Sequence, residues 1–190
     1  MSNCKRNFFA TFFIIIAMLI LTIILFFTYK PTKPNFSMAK IEIKKLTLSR
    51  TILNSMIKID LVSKNPNTNV RINYDEFHIY ATYNNKKLTN ESIVAPFNQG
   101  EGETDIMSSL LIGNNLIVEP SISYDLSQAQ TFGSLRLTII ANAKLKWHIA
   151  DWMSGPHTIQ VTCDCVVYFQ DGSPVNDPHL ATLQGCKTYL

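Results

Sequence analysis

Four cysteines, four histidines and two Asn-x-Ser sequons are the residues of this 190-residue chain whose types could do chemistry. Cys163 and Cys165 stand two apart in a strand-like run, so they share one face and are not expected to bond to each other. With Cys186 they make an odd set: in an oxidising compartment, Cys186 can pair with Cys163 or with Cys165, and one thiol is left over. A bridge closing a loop of roughly 20 residues would add about 3 kcal/mol. A zinc site built on Cys163-x-Cys165 would need two further ligands, and no second Cys pair or ligand-spaced His pair supplies them. Neither a metal nor a cofactor is expected. Cys4, next to Lys5 and Arg6, is a candidate for palmitoylation if it is cytosolic. Asn90-Glu91-Ser92 is a glycosylation candidate, and Asn35-Phe36-Ser37 is a second sequon close to the apolar leader. His78 falls on the polar phase of a strand; His148, His157 and His179 lie near strand ends or in loops. Gly-x-Ser-x-Gly, a phosphate loop and the Gly-rich strand–helix fingerprint are all missing from the sequence, and its acids are scattered. An enzyme is therefore not expected.

These residues have to be positioned by two very different kinds of segment. Residues 8–29, FFATFFIIIAMLILTIILFFTY, carry no charge, and Phe, Ile and Leu fill 15 of the 22 positions. A helix of that length would span about 33 Å, against a bilayer core of about 30 Å, and its insertion would be favoured by roughly several kcal/mol. Signal-peptide apolar regions are shorter and end in small residues, whereas this run ends Phe26-Phe27-Thr28-Tyr29-Lys30-Pro31. The expectation is an uncleaved single-pass anchor at 8–29, behind a short cytosolic head at 1–7. A Pro-containing spacer follows at 30–39, where Pro31 and Pro34 block helix continuation.

Beyond the spacer, the period changes from helical to two. Leu135, Leu137, Ile139, Ala141, Ala143, Leu145 and Trp147 alternate with Arg136, Thr138, Ile140, Asn142, Lys144 and Lys146, which predicts a long strand with one buried face. Ile159, Val161, Cys163, Cys165, Val167 and Phe169 repeat the pattern, as do Ile57, Ile59 and Leu61. Val70, Ile72 and Tyr74 are apolar at even positions, but Phe77, Ile79, Ala81 and Tyr83 at odd ones. One inserted residue produces such a slip, so a β-bulge is predicted at Asp75-Glu76. Asn84-Asn85-Lys86-Lys87 reads as a hairpin turn. Weaker strands are expected near 40–48, 92–98, 104–112 and 183–189, and a helix only near 119–130, opened by Pro120. The fold class is all-β, an immunoglobulin/fibronectin-like β-sandwich over 40–190 preceded by one transmembrane helix.

Charge distribution excludes one class of partner. Residues 1–33 carry four basic side chains and no acid, while the remaining 13 basic and 14 acidic residues nearly cancel. A near-neutral sandwich is not expected to bind nucleic acid. Within it, residues 34–87 hold nine bases and four acids, and residues 88–135 six acids and no base. Such an imbalance would suit a basic side near headgroups and an acidic side facing away.

Asn65-Pro66-Asn67-x-x-Val70-x-Ile72-x-Tyr74-Asp75 resembles the Asn-Pro-Asn motif of the late embryogenesis abundant group 2 (WHy-type) domain. The whole chain resembles the plant NDR/HIN-like (NHL) proteins. KPTKPNFSMAKIEIKKL after the apolar run is similar to the family's Pro-x-x-Pro-x-Phe lead-in, and APFNQGEGET at 95–104 to its Pro-Phe-x-Gln-Gly stretch. LKWHIADWMSGPHTIQVTCDC at 145–165 is similar to its late strand pair. The cytosolic head is shorter than the family's, and Cys165 is an extra thiol. The resemblance favours a Cys163–Cys186 disulfide, with Cys165 as runner-up. It implies a type II protein of the plasma membrane, with the endoplasmic reticulum membrane as the alternative. The N-terminus would be cytosolic, the sandwich extracellular, and the role a non-enzymatic one in defence or stress responses through protein partners. The alternative function is a membrane-tethered lipid-binding sandwich. Pro66 cannot donate to a ladder, and Asn67 can bond nearby backbone, so the Asn-Pro-Asn motif reads as a glycine-free turn between strands.

Overall fold

The computed structural model describes residues 2–170, 173–175 and 184–190, with the side chains of residues 2–8, 10, 25–27, 29 and 184 outside the description. Two units follow one another, Met1–Thr32 and Lys33–Leu190.

The first unit is one helix, α1 (Ser2–Tyr29), of 28 residues. Helix therefore runs back through 2–7, the stretch expected as a separate head. Its hydroxyls are satisfied internally: Thr22 donates to Leu19 O and Thr28 to Ile24 O, both at 2.8 Å. Described apolar side chains from Phe9 to Ile24 are exposed on every side, so α1 has no polar face. Among the described residues, no helix is long and apolar enough to cross a membrane.

The second unit is built of strands: β1 (Asn35–Ser49), β2 (Ile52–Lys64), β3 (Arg71–Tyr83), β4 (Lys86–Lys87), β5 (Ser92–Val94), β6 (Phe97–Gln99) and β7 (Thr104–Ile117). Then come a helix α2 (Pro120–Phe132), β8 (Ser134–Ile149), β9 (Trp152–Met153), β10 (His157–Gln170), β11 (Ser173–Pro174), β12 (Gln184–Gly185) and β13 (Lys187–Tyr189). One sheet has the order β12-β1-β2-β7 and the other β11-β10-β8-β3-β4; β5 and β6 add to β3, β9 to β8 and β13 to β10. The described pairings are antiparallel. Both sheets turn their apolar phase into one shared core.

The alternation seen in the sequence is the reason these strands face as they do. All seven odd positions from Leu135 to Trp147 are buried in β8, and all six from Ile159 to Phe169 in β10. β3 shifts register against β8 between Tyr74 and Glu76, so that Ile72 and Tyr74 on one phase, and Phe77 and Ile79 on the other, all point inward. The displaced acids pair outside, Asp75 with Lys146 at 2.8 Å and Glu76 with Lys144 at 3.0 Å. Asn84 and Asn85 both take positive φ, 46° and 63°, and close a two-residue hairpin between β3 and β4. Pro120 opens α2, and Gly133, at φ 86°, ends it.

Strand β1 departs from expectation. It starts at Asn35, inside the stretch read as a spacer, because Phe36 and Met38 are buried. Register shifts at Met38/Lys40 and Ile43/Lys45 flip its phase twice, which erases the period-two signal. The expected strand at 92–98 is broken into β5 and β6, since Pro96 between them cannot donate to a ladder.

Gly113 shows how tightly the layers close. A methyl group added there would overlap the Leu88 carbonyl oxygen and the Ser55 hydroxyl, which donates to that same carbonyl. At Gly155 an added methyl meets open space. Chemical denaturation should therefore find Gly113→Ala less stable by about 1–3 kcal/mol, with Gly155→Ala within about 0.5 kcal/mol of the parent. Equal midpoints for the two variants would contradict this packing.

Candidate functional site

Near the end of β2, Ser63 is an inward position filled by a polar residue, and Pro66 prevents the ladder from continuing. The chain must then turn into β3 with its backbone groups buried. Asn65 solves the problem with its side chain. Its Nδ2 donates to Val70 O (2.7 Å) and Gly100 O (2.8 Å), while Oδ1 accepts from the Asn67 backbone N–H (3.0 Å) and from Asn67 Nδ2 (2.8 Å). Those four bonds use the whole capacity of a carboxamide. Its own backbone N–H donates to Glu103 O at 2.9 Å, and Gly102 N–H donates to Asn67 O at 2.8 Å.

The stretch around 97–100 docks onto this turn. Gln99 is fully buried; Nε2 donates to Ser63 O (2.8 Å) and Glu103 O (3.3 Å), and Oε1 accepts from Ser63 Oγ (3.2 Å) and the Tyr74 hydroxyl (3.4 Å). The Tyr74 ring stacks on Phe97, centroids 4.4 Å apart at 18°, with Phe77 edge-on at 5.8 Å. The two stretches quoted separately from the sequence, 65–75 and 95–104, thus form one polar node capped by an aromatic stack. It can hold four chain segments together, but it offers little to a reaction. Burial raises the Tyr74 phenol above its ordinary range, so it stays neutral. Asp105 borders the node with its Oδ2 buried and unpartnered. Burial first, and then the Glu103 charge, push its carboxyl above the usual carboxylate range.

Cys163 and Cys186 form a disulfide, with sulfurs 1.99 Å apart. Cys186 stands between β12, which pairs with β1, and β13, which pairs with β10, and its N–H donates to Phe36 O at 3.0 Å. The bridge therefore ties the late chain to both sheets. Cys165 is a free, buried thiol whose pKa is pushed up to about 12, chiefly by burial and then by Asp164. Asn90 is exposed, as is Asn35. The Cys4 side chain and all of His179 lie outside the described residues. His78 sits on the outer surface of β3 between Glu91 (3.6 Å) and Glu76 (3.9 Å), and His157 packs on Trp147 with ring centroids 4.4 Å apart. Among the described residues, no cluster of three metal-capable side chains occurs. Tyr74 belongs to the node, while Asp75 is outside it in the bulge.

Sequence reasoning missed Ser63 and Gln99 as partners of the Asn-Pro-Asn turn. Ser63 had a signal: it continues the inward phase of Ile57, Ile59 and Leu61 with a polar residue. Gln99 had only its place in the Pro-Phe-x-Gln-Gly stretch, because β6 is three residues long and shows no period.

No family model matches the chain. NDR1/HIN1-like protein 26 of Arabidopsis thaliana is 33% identical over 187 residues, covering 96% of this chain and 86% of the relative. NDR1/HIN1-like protein 12 of the same plant is 29% identical over 158 residues, 83% of this chain and 75% of the relative. Among solved structures, one described as a late embryogenesis abundant protein is 14% identical and covers 86% of each chain, with a TM-score of 0.41.

Two measurements check the node. Replacing Asn65 by Ala strands the Val70 and Gly100 carbonyls and the Asn67 N–H, and should lower stability by on the order of 3 kcal/mol. Exposed Asn69→Ala should change it by less than about 0.5 kcal/mol. For Asp105 the sign follows from a folded-state pKa raised above the unfolded one: folding is penalised once pH rises past the unfolded value, and not below it. Asp105→Asn should therefore stabilise the protein at pH 7 and leave it unchanged near pH 3; destabilisation at pH 7 would mean that the carboxylate is wanted charged.

Proposed function

This chain belongs to the NDR1/HIN1-like family, and on that premise we propose that it acts without catalysis, as a membrane-anchored interaction module in plant defence and stress responses. The observation that carries this reading is the relationship to NDR1/HIN1-like protein 26, which spans 96% of the chain and so takes in the apolar leader as well as the sandwich. The 22 uncharged residues at 8–29 serve as a single-pass anchor. The sandwich lies on the extracytoplasmic side of the plasma membrane, with the endoplasmic reticulum membrane as a second location.

The disulfide and a sequon support that orientation, whereas charge does not decide it. Positive charges flank the leader at both ends, Lys5 and Arg6 before it and Lys30 and Lys33 after it, so charge alone does not choose a side. The Cys163–Cys186 disulfide belongs in an oxidising compartment, and exposed Asn90 heads a usable sequon. The order β1-β2-β7 against β3-β8-β10 supports reading the sandwich as immunoglobulin-like. Surfaces and loops of such sandwiches recognise partners, and here those partners are proteins. Uptake of a lipid between the sheets finds no support, because Ile57, Ile59, Leu61, Ile72, Ile79 and Leu111 fill that space.

Expression of the full chain in plant cells tests the topology. A glycosidase-sensitive mobility shift that disappears in Asn90→Gln, with carbonate-resistant membrane association, is the expected result. Absence of the shift, together with a sandwich digested by protease only after permeabilisation, would reverse the orientation.

A further inference from the structure

The two ends of the sandwich are not alike. Asn35 pairs with Lys64 and Arg71 pairs with His148, and residues 65–70 join those strands, so one end gathers the start of β1, the Asn-Pro-Asn turn and the β8–β9 hairpin. The chain enters at this end: Lys33, the first residue of the unit, donates from Nζ to Thr188 O at 2.7 Å. Only residues 30–34 separate α1 from β1 in the sequence.

This same end presents large apolar side chains to solvent. Trp152 is 60% exposed, Met153 46%, Tyr189 54% and Leu190 68%. The hairpin that carries Trp152 is held firmly. Ile149 pairs with Trp152 and His148 with Met153. Ser154 closes the stem from both sides: its N–H donates to Trp147 O at 2.8 Å, and its hydroxyl accepts from the Trp147 N–H at 2.9 Å. The turn needs Ala150 in the left-handed region, at φ 49°, a conformation unfavourable for an alanine. Strain is thus maintained to display an indole and a thioether outward.

Resting on the reading that α1 is a membrane anchor, we infer that this end of the sandwich seats on the bilayer interface through Trp152, Met153, Tyr189 and Leu190. Connectivity identifies the occupant: with α1 in lipid, a five-residue connector leaves the end it enters beside the headgroups. Indole and phenol rings are the side chains that partition into this zone, with an apolar body and a polar tip. Electrostatic attraction is not the driving force, since Lys33, Lys64, Arg71 and Lys187 are balanced by Glu101, Glu103, Asp105 and Asp151. The surface therefore fits a zwitterionic lipid interface. The opposite end also exposes Ile117 and Phe132, but nothing there identifies what would cover them.

The chain has two tryptophans, and only one of them is at the surface: Trp147 is 4% exposed. The full chain is reconstituted into phosphatidylcholine vesicles and floated, with part of the lipid brominated on the acyl chains near the headgroup. The expected result is co-flotation, with a component of the emission that brominated lipid quenches, that aqueous iodide does not reach, and that Trp152→Phe removes. Adding phosphatidylserine or raising salt leaves that component unchanged. A chain that floats while Trp152 stays open to iodide and is not quenched by lipid overturns the seat but leaves the anchor standing. Shielding from iodide without lipid quenching means that a second copy or another protein covers the surface, and also overturns it. Quenching that requires anionic lipid overturns the zwitterionic fit. Failure to float removes the anchor reading and the seat together.

Discussion

A buried carboxamide must find four hydrogen bonds or destabilise the fold that buries it, and the Asn65 side chain finds all four in the chain itself. The rest of the node follows from that constraint. Pro66 ends β2 and removes a donor, so the turn has no ladder to use. Asn65 replaces the ladder, reaching Val70 at the start of β3 and Gly100 beyond β6. Gln99 does the same from the other side, binding the Ser63 carbonyl at the end of β2. Apolar contact between the two sheets is not directional, and the node gives them a fixed register at this end. The disulfide repeats the function farther along, clasping β10 to the segment that also reaches β1.

Periodicity made the long strands legible. In β8 and β10 the inward phase runs unbroken for seven and six residues, so burial could be assigned residue by residue. The same logic located the bulge in β3, because a phase slip with apolar residues on both sides has one economical explanation. Asn84-Asn85 was legible for a different reason: few residues tolerate two successive positive φ angles. Strand β1 was only half visible, since two bulges in 15 residues leave no stretch long enough to show a period. The node was less legible still. Its members are 63, 65, 67, 74 and 99, and no local pattern joins residues that far apart in sequence. Motif resemblance marked two of its pieces, and only tertiary geometry shows that they touch.

Charge is treated differently inside and outside the sandwich. Glu42 lies low in β1, yet Lys40 and Lys44 each reach it at 2.6 Å, and their hydrogen bonds bring its carboxyl down to about 2. Its folded-state pKa is depressed, so its contribution is complete above the unfolded value near 4.5 and fades as pH falls through about 2. Asp105, with one oxygen buried and unpartnered, works in the opposite direction.

Several of the described groups that could do chemistry are turned inward and neutralised. The Cys165 thiol, at about 12, supplies almost no thiolate near neutral pH. Tyr74 is held as a neutral phenol under Phe97. The Asn65 and Gln99 carboxamides are saturated, and Cys163 and Cys186 are joined to each other. Groups without such obligations lie on the rim: the displayed hairpin of Trp152 and Met153, the exposed Asn90, and the apolar ends of β7 and α2. A fold that satisfies its reactive groups internally and leaves apolar side chains at its edges is suited to holding a surface against something else. The interior sets how rigidly those edges are presented.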